Sequence, residues 1–283
     1  MITKDPLVST QWLAEHLSAP DVRVIDATWF MPGVERDARA EYEQGHIPGA
    51  VFFDIDEISD TASDLPHMAP PPEKFSSRVR KMGLGDGYRI VVYDSHGVFS
   101  AARVWWTFRL MGHEDVVVLD GGLRKWLAEG RPVEDLPPPP RERHFTARYN
   151  ADLVRTAAQV KRDLDSGKEQ LLDARPAGRF TGEVPEPRAG LRSGHMPGSY
   201  NLPASLLTAA DGTLLPADQL EAVFAASGVD VTKPIVTTCG SGITASLLAL
   251  ALARLGRWRT PVYDGSWAEW GSLDDMPVVT GPA

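Results

Sequence analysis

Cysteine is nearly absent: Cys239 stands alone in a chain of 283 residues. That scarcity excludes an internal disulfide and suits a reducing compartment, while leaving room for one catalytic thiol. Basic charge is also short, with 29 Lys and Arg against 38 Asp and Glu and a net charge of -9. A surplus of acid argues against nucleic acid as a partner, so an anionic substrate has to be met by local arginines. Long apolar runs are missing too. The longest, Leu247 to Ala253, is far too short to span a bilayer. The first twenty residues, with Lys4, Asp5 and Glu15, hold no apolar core of signal-peptide length, so a cytoplasmic location away from membranes is expected. No His and Cys cluster shows metal-ligand spacing, and neither a metal nor an organic cofactor is expected.

The hydrophobic fraction of 43% and the charged fraction of 24% describe a soluble globular protein, and the length suggests two domains. One stretch organises the reading. Pro234-Ile235-Val236-Thr237-Thr238-Cys239-Gly240-Ser241-Gly242-Ile243-Thr244-Ala245 reads as strand, tight loop and helix, with Cys239 at the strand's carboxyl end. Such a loop turns backbone N–H groups inward, and the helix adds its positive end, so a thiolate or persulfide at Cys239 is stabilised. A lone cysteine is often inert core. The Gly-x-Gly loop makes it a candidate nucleophile instead.

Elsewhere strands are predicted over Val22 to Asp26, Arg89 to Tyr93 and Val116 to Leu119, with helices over Ser9 to Leu17, Glu73 to Met82 and Val98 to Met111. Alternation of this kind implies an α/β fold, a parallel sheet with helices on both faces and ligand sites at the strands' carboxyl ends. The second half then repeats the first. Ile25-Asp26-Ala27 returns as Leu172-Asp173-Ala174, Gly45-His46-Ile47-Pro48-Gly49 as Gly194-His195-Met196-Pro197-Gly198, and Asp120-Gly121-Gly122 with Trp126 as Asp264-Gly265-Ser266 with Trp270. Two such domains are expected, 1–136 and 151–283, joined by a stiff proline-rich linker over 137–150. Aligning Gly97 with Gly242 sets Asp94 opposite Cys239, so only the second copy can do thiol chemistry. The shared motif makes His46 and His195 structural turn residues in both copies.

This two-copy pattern resembles the tandem rhodanese sulfurtransferases over nearly the whole chain. The loop from Cys239 to Thr244 is similar to the Cys-Gly-Ser-Gly-Val-Thr loop of 3-mercaptopyruvate sulfurtransferases, whereas thiosulfate:cyanide sulfurtransferases carry basic residues in place of Gly240 and Ser241. The resemblance implies two tandem rhodanese-like domains with the active site in the cleft between them. It implies a Cys239 persulfide formed from 3-mercaptopyruvate with release of pyruvate, thioredoxin or a small thiol as the physiological acceptor and cyanide as a laboratory one. It also implies that Arg179 and Arg188, in Arg179-Phe180-Thr181-Gly182-Glu183-Val184-Pro185-Glu186-Pro187-Arg188, hold the substrate's carboxylate and carbonyl oxygens. Gly240, Gly242, Ile243 and Thr244 line the substrate site, and Asp37, His46 and Ser241 form a serine-protease-like relay. Read from the residues alone, the arginines could instead pair with Glu183 and Glu186.

A neutral loop suits a keto acid with one carboxylate better than the thiosulfate dianion, which needs cations close to the thiol. A Cys-dependent phosphatase would need an arginine six positions after the cysteine, where this chain has Ala245. A non-catalytic binding module would have no use for Cys239 with its glycines.

Overall fold

The computed structural model describes residues 5–139 and 141–282. Its first unit comprises 1–61, 69–150 and 209–214, and its second 62–68, 151–208 and 215–283. In the first, β-branched runs between turn residues form β1 (Leu7–Val8), β2 (Val22–Asp26), β3 (Ala50–Phe52), β4 (Arg89–Tyr93) and β5 (Val116–Leu119). They make an all-parallel sheet of order β1-β5-β4-β2-β3. The connecting helices are α1 (Thr10–His16), α2 (Ala38–Gln44), α3 (Pro72–Lys81), α4 (Ser100–Leu110) and α5 (Gly122–Ala128).

The second unit repeats the plan with β6 (Val154–Arg155), β7 (Gln170–Asp173), β8 (Tyr200–Asn201), β9 (Ile235–Thr238) and β10 (Val262–Tyr263) in the order β6-β10-β9-β7-β8. Its helices are α6 (Ala157–Ser166), α7 (Ala177–Thr181), α8 (Ala217–Ala226), α9 (Ile243–Arg254) and α10 (Ser266–Trp270). The central strands β4 and β9 are buried almost throughout, as a sheet covered on both faces requires. α9, apolar all round, is buried along its length.

The repeat extends to single bonds. Trp126 and Trp270 are both fully buried, and their indole N–H groups donate to the carbonyls of Pro132 (2.7 Å) and Pro277 (2.9 Å). Asp26 accepts from the backbone N–H of Thr28 at the end of β2, and Asp173 from that of Arg175 at the end of β7, both at 2.9 Å. These aspartates fix the strand-to-loop turn. Trp105 and Trp106, which have no repeat partner, are buried on α4 with the guanidiniums of Arg109 and Arg103 over their rings.

Within the stretch expected as a connector, residues 141–150 lie along the first unit. The backbone N–H groups of Arg143, Arg148 and Asn150 donate to the carbonyls of Arg80, Met111 and Leu110, and Phe145 is buried against Phe75 and Phe108. One aromatic side chain in a polar stretch is enough to turn a linker into a strap. No helix among the described residues is long and apolar enough to cross a membrane.

Candidate active site

β9 ends in Cys239, whose side chain is buried. Gly242 caps α9 at φ +82°, in the left-handed region that glycine enters without steric cost. That turn aims its N–H at the sulfur, 3.1 Å from Sγ. The cap is therefore Gly242, with Thr244 one position inside the helix. α10 holds the loop from below: Trp267 N–H donates to the Cys239 carbonyl and Ala268 N–H to the Gly240 carbonyl, both at 2.9 Å. Ser266, buried at φ +50°, accepts from the Cys239 N–H at 3.3 Å and donates to the Tyr263 carbonyl at 2.8 Å. Ser241 is buried as a residue, and among the described residues its hydroxyl makes no side-chain hydrogen bond.

The first unit shows what such a loop holds. Asp94 takes the place of Cys239, its carbonyl bonded by Leu123 N–H as that of Cys239 is by Trp267. Its carboxylate, wholly buried, accepts from four backbone N–H groups, those of His96, Gly97, Phe99 and Ala101, at 2.8 to 3.0 Å. The loop there is an anion cradle filled by its own side chain.

Arg179 lies against the Cys239 loop: a Cβ added to Gly240 would come within 3.0 Å of its Nη2. The sequence folds it there because α7 ends at Gly182 (φ +83°) and Val184 N–H returns to the Gly178 carbonyl at 2.8 Å. The chain doubles back, and Glu186 meets Arg179 in a buried ion pair. Glu186 also accepts from Arg175 Nη1 at 2.8 Å, and Arg175 is anchored by Asp173 (2.7 Å), by the Gly194 carbonyl (2.9 Å) and by stacking over Trp267 (4.2 Å). The expected alternative pairing of Arg179 with Glu186 and its approach to the cysteine loop both occur. Arg188 reaches a different partner, His67, with Nη2 3.3 Å from Nε2.

The proposed link between Asp37 and His46 does not form. Asp37 caps α2 through the Ala40 N–H (3.0 Å), while His46 follows the far end of that helix, roughly 13 Å along the axis. His46 is fully buried, stacked on Tyr42 with Nδ1 2.8 Å from the Tyr42 carbonyl. His195 does the same with Phe180, at 2.9 Å. The two histidines thus sit alike in the two copies of the motif, and burial lowers the pKa of His195.

The sequence motifs singled out neither His67 nor Arg175, and Glu186 stood there only as an alternative partner for the arginines. His67 belongs by its contacts to the second unit, is buried, and holds a positive φ of 59°, which a side chain seldom adopts without cause. A signal existed: unlike His46, His67 has no counterpart in the other repeat, the same asymmetry that marks Cys239. Among the described residues no group of three or more His, Cys, Asp or Glu is placed to hold a metal ion.

A rhodanese-like domain model matches residues 9–129 and again 156–273. The chain is 44% identical over 272 residues to the 3-mercaptopyruvate sulfurtransferase of Escherichia coli (strain K12), covering 96% of each chain. It is 46% identical over 271 residues to the thiosulfate sulfurtransferase of Bos taurus, covering 93% of this chain and 91% of that one. The crystal structure of the 3-mercaptopyruvate sulfotransferase SseA from Escherichia coli superposes with a TM-score of 0.86 at 42% identity, over 93% of this chain and 99% of that one. Two five-stranded parallel sheets of one plan, one loop holding a thiol and the other a carboxylate, and two matches to a single domain model place this chain in the rhodanese family, as a member with two tandem domains.

Proposed function

We propose that the protein is a 3-mercaptopyruvate sulfurtransferase. The observation that carries this reading is the neutral Cys239-Gly240-Ser241-Gly242 loop, beside which Arg179 is already paired with Glu186. The Cys239 thiolate attacks the sulfur of 3-mercaptopyruvate. An S–S bond forms, the C–S bond breaks, and its electron pair passes into the ketone as the enolate of pyruvate, which then takes up a proton. Arg179 and Arg188 hold the donor's carboxylate and carbonyl oxygens, and the Ser241 hydroxyl lies in the loop to meet the developing enolate charge. Gly240, Ile243 and Thr244 form the wall of the substrate site. The persulfide rests on the Gly242 N–H and the N-terminal end of α9, preorganised for negative charge.

An acceptor thiolate, from thioredoxin or a small thiol, then attacks the outer sulfur and returns the electron pair to Cys239. A supply of thiols and a cysteine that must stay reduced fit a cytoplasmic setting. The likeness to a thiosulfate sulfurtransferase supports thiosulfate as a second donor reading. The test is kcat/KM with each donor and one dithiol acceptor. Preference for mercaptopyruvate is expected, with at least about a thousand-fold loss in Cys239→Ser. Preference for thiosulfate would overturn the donor assignment, and activity surviving in Cys239→Ser would overturn the mechanism.

A further inference from the structure

Around the nucleophile, charge is balanced within the protein. Arg175 is held by Asp173 and Glu186, and Arg179 by Glu186, with both acid side chains only 2% exposed. The four groups form a closed chain back to the cysteine. Arg175 stacks over Trp267, whose N–H holds the Cys239 carbonyl, and Arg179 lies over Gly240. Because Glu186 grips both guanidiniums, Arg179 can neither swing away nor present its full charge.

We propose that Glu186 is a specificity-determining residue: by neutralising Arg179 beside the thiol, it selects a donor with one negative charge over a dianionic one. This inference rests on the functional reading above. A dianion such as thiosulfate gains most from an uncompensated cation near the sulfur, whereas a keto acid needs from Arg179 chiefly a directed N–H donor. The buried carboxylate removes the first benefit and, by fixing the guanidinium, keeps the second. Gly240 completes the arrangement, since a Cβ there would sit 3.0 Å from the Arg179 guanidinium and press on it.

The experiment compares wild type, Glu186→Gln and Glu186→Asp for kcat/KM with thiosulfate and with 3-mercaptopyruvate, with thermal melts to verify folding. The Gln variant keeps the shape and an acceptor oxygen but loses the charge. The thiosulfate-to-mercaptopyruvate ratio is expected to rise at least about ten-fold, mainly through a lower KM for thiosulfate, and the rise should shrink in high salt. The shorter Asp variant keeps the charge but draws it away from Arg179, so a shift of two- to threefold in the same direction is expected, readable even where the Gln variant does not fold. An unchanged ratio, with both donors falling in parallel, would reduce Glu186 to a structural residue and overturn the proposal. A wild type inactive with mercaptopyruvate would defeat the functional reading instead, and the effect of Glu186→Gln on thiosulfate KM would still judge this one.

Discussion

Asp94 is the residue that explains Cys239. Four N–H groups converge on a buried carboxylate where the other repeat has a sulfur, so the loop favours a negative charge whichever atom bears it. Asp94→Ala should strand those four donors and cost about 3 kcal/mol or more in urea unfolding, with Asp94→Asn costing less. Added formate should raise the melting temperature of the alanine variant more than that of wild type, by refilling the cradle. Equal response of both proteins would mean that the amides are not organised around an anion. Much of this site was readable in the chain, because a cysteine between a β-branched run and a Gly-x-Gly loop is a local pattern. The histidines were harder to read. His46 announces itself in a motif and is buried on Tyr42, away from Asp37, while His67 sits in an ordinary loop and reaches Arg188 only through the folding of residues 62–68 into the second unit. Local pattern carries no information about such long-range placement.

At the level of elements, strands were the most legible feature. Val22–Asp26, Arg89–Tyr93 and Val116–Leu119 fall where the sequence puts them, because strands covered on both faces must be continuous β-branched runs. The strap over 141–150 was not legible, since its buried aromatic, Phe145, sits among prolines and charges. Its weight can be measured. Phe145 lies 5.5 Å from Phe75 and 6.1 Å from Phe108, ring centre to ring centre, and truncating it leaves a cavity in the first unit. Phe145→Ala should cost about 3–5 kcal/mol and strip hydrogen-exchange protection from the amides of Arg143, Arg148 and Asn150. A loss under about 1 kcal/mol with protection intact would show that backbone hydrogen bonds alone hold the strap.

Across the whole molecule, each unit buries a histidine, and this sets how stability follows pH. His113, 5.8 Å from Phe108 and 5.9 Å from Phe145 between ring centres, has its pKa lowered by burial, against the opposing pull of nearby backbone groups and of Asp115 and Asp86. In the second unit burial likewise lowers His195, outweighing the Phe180 carbonyl and Asp173. Below the ordinary value of 6.5 the unfolded chain takes up protons that these folded sites resist. Their contribution is therefore complete above that value and is lost as pH falls toward the folded pKa values. Asp26 acts in the opposite sense and at lower pH, because burial raises its pKa above 3.8 and protonation there favours the fold. Urea unfolding between pH 8 and pH 5.5 should thus show stability declining on the acid side, by up to about 1.4 kcal/mol per pH unit for each histidine that stays neutral when folded. His113→Phe should remove its share of that slope and leave the His195 share, so the decline should shrink without vanishing. A flat profile in wild type would mean that both rings accept a proton inside the fold as easily as outside it.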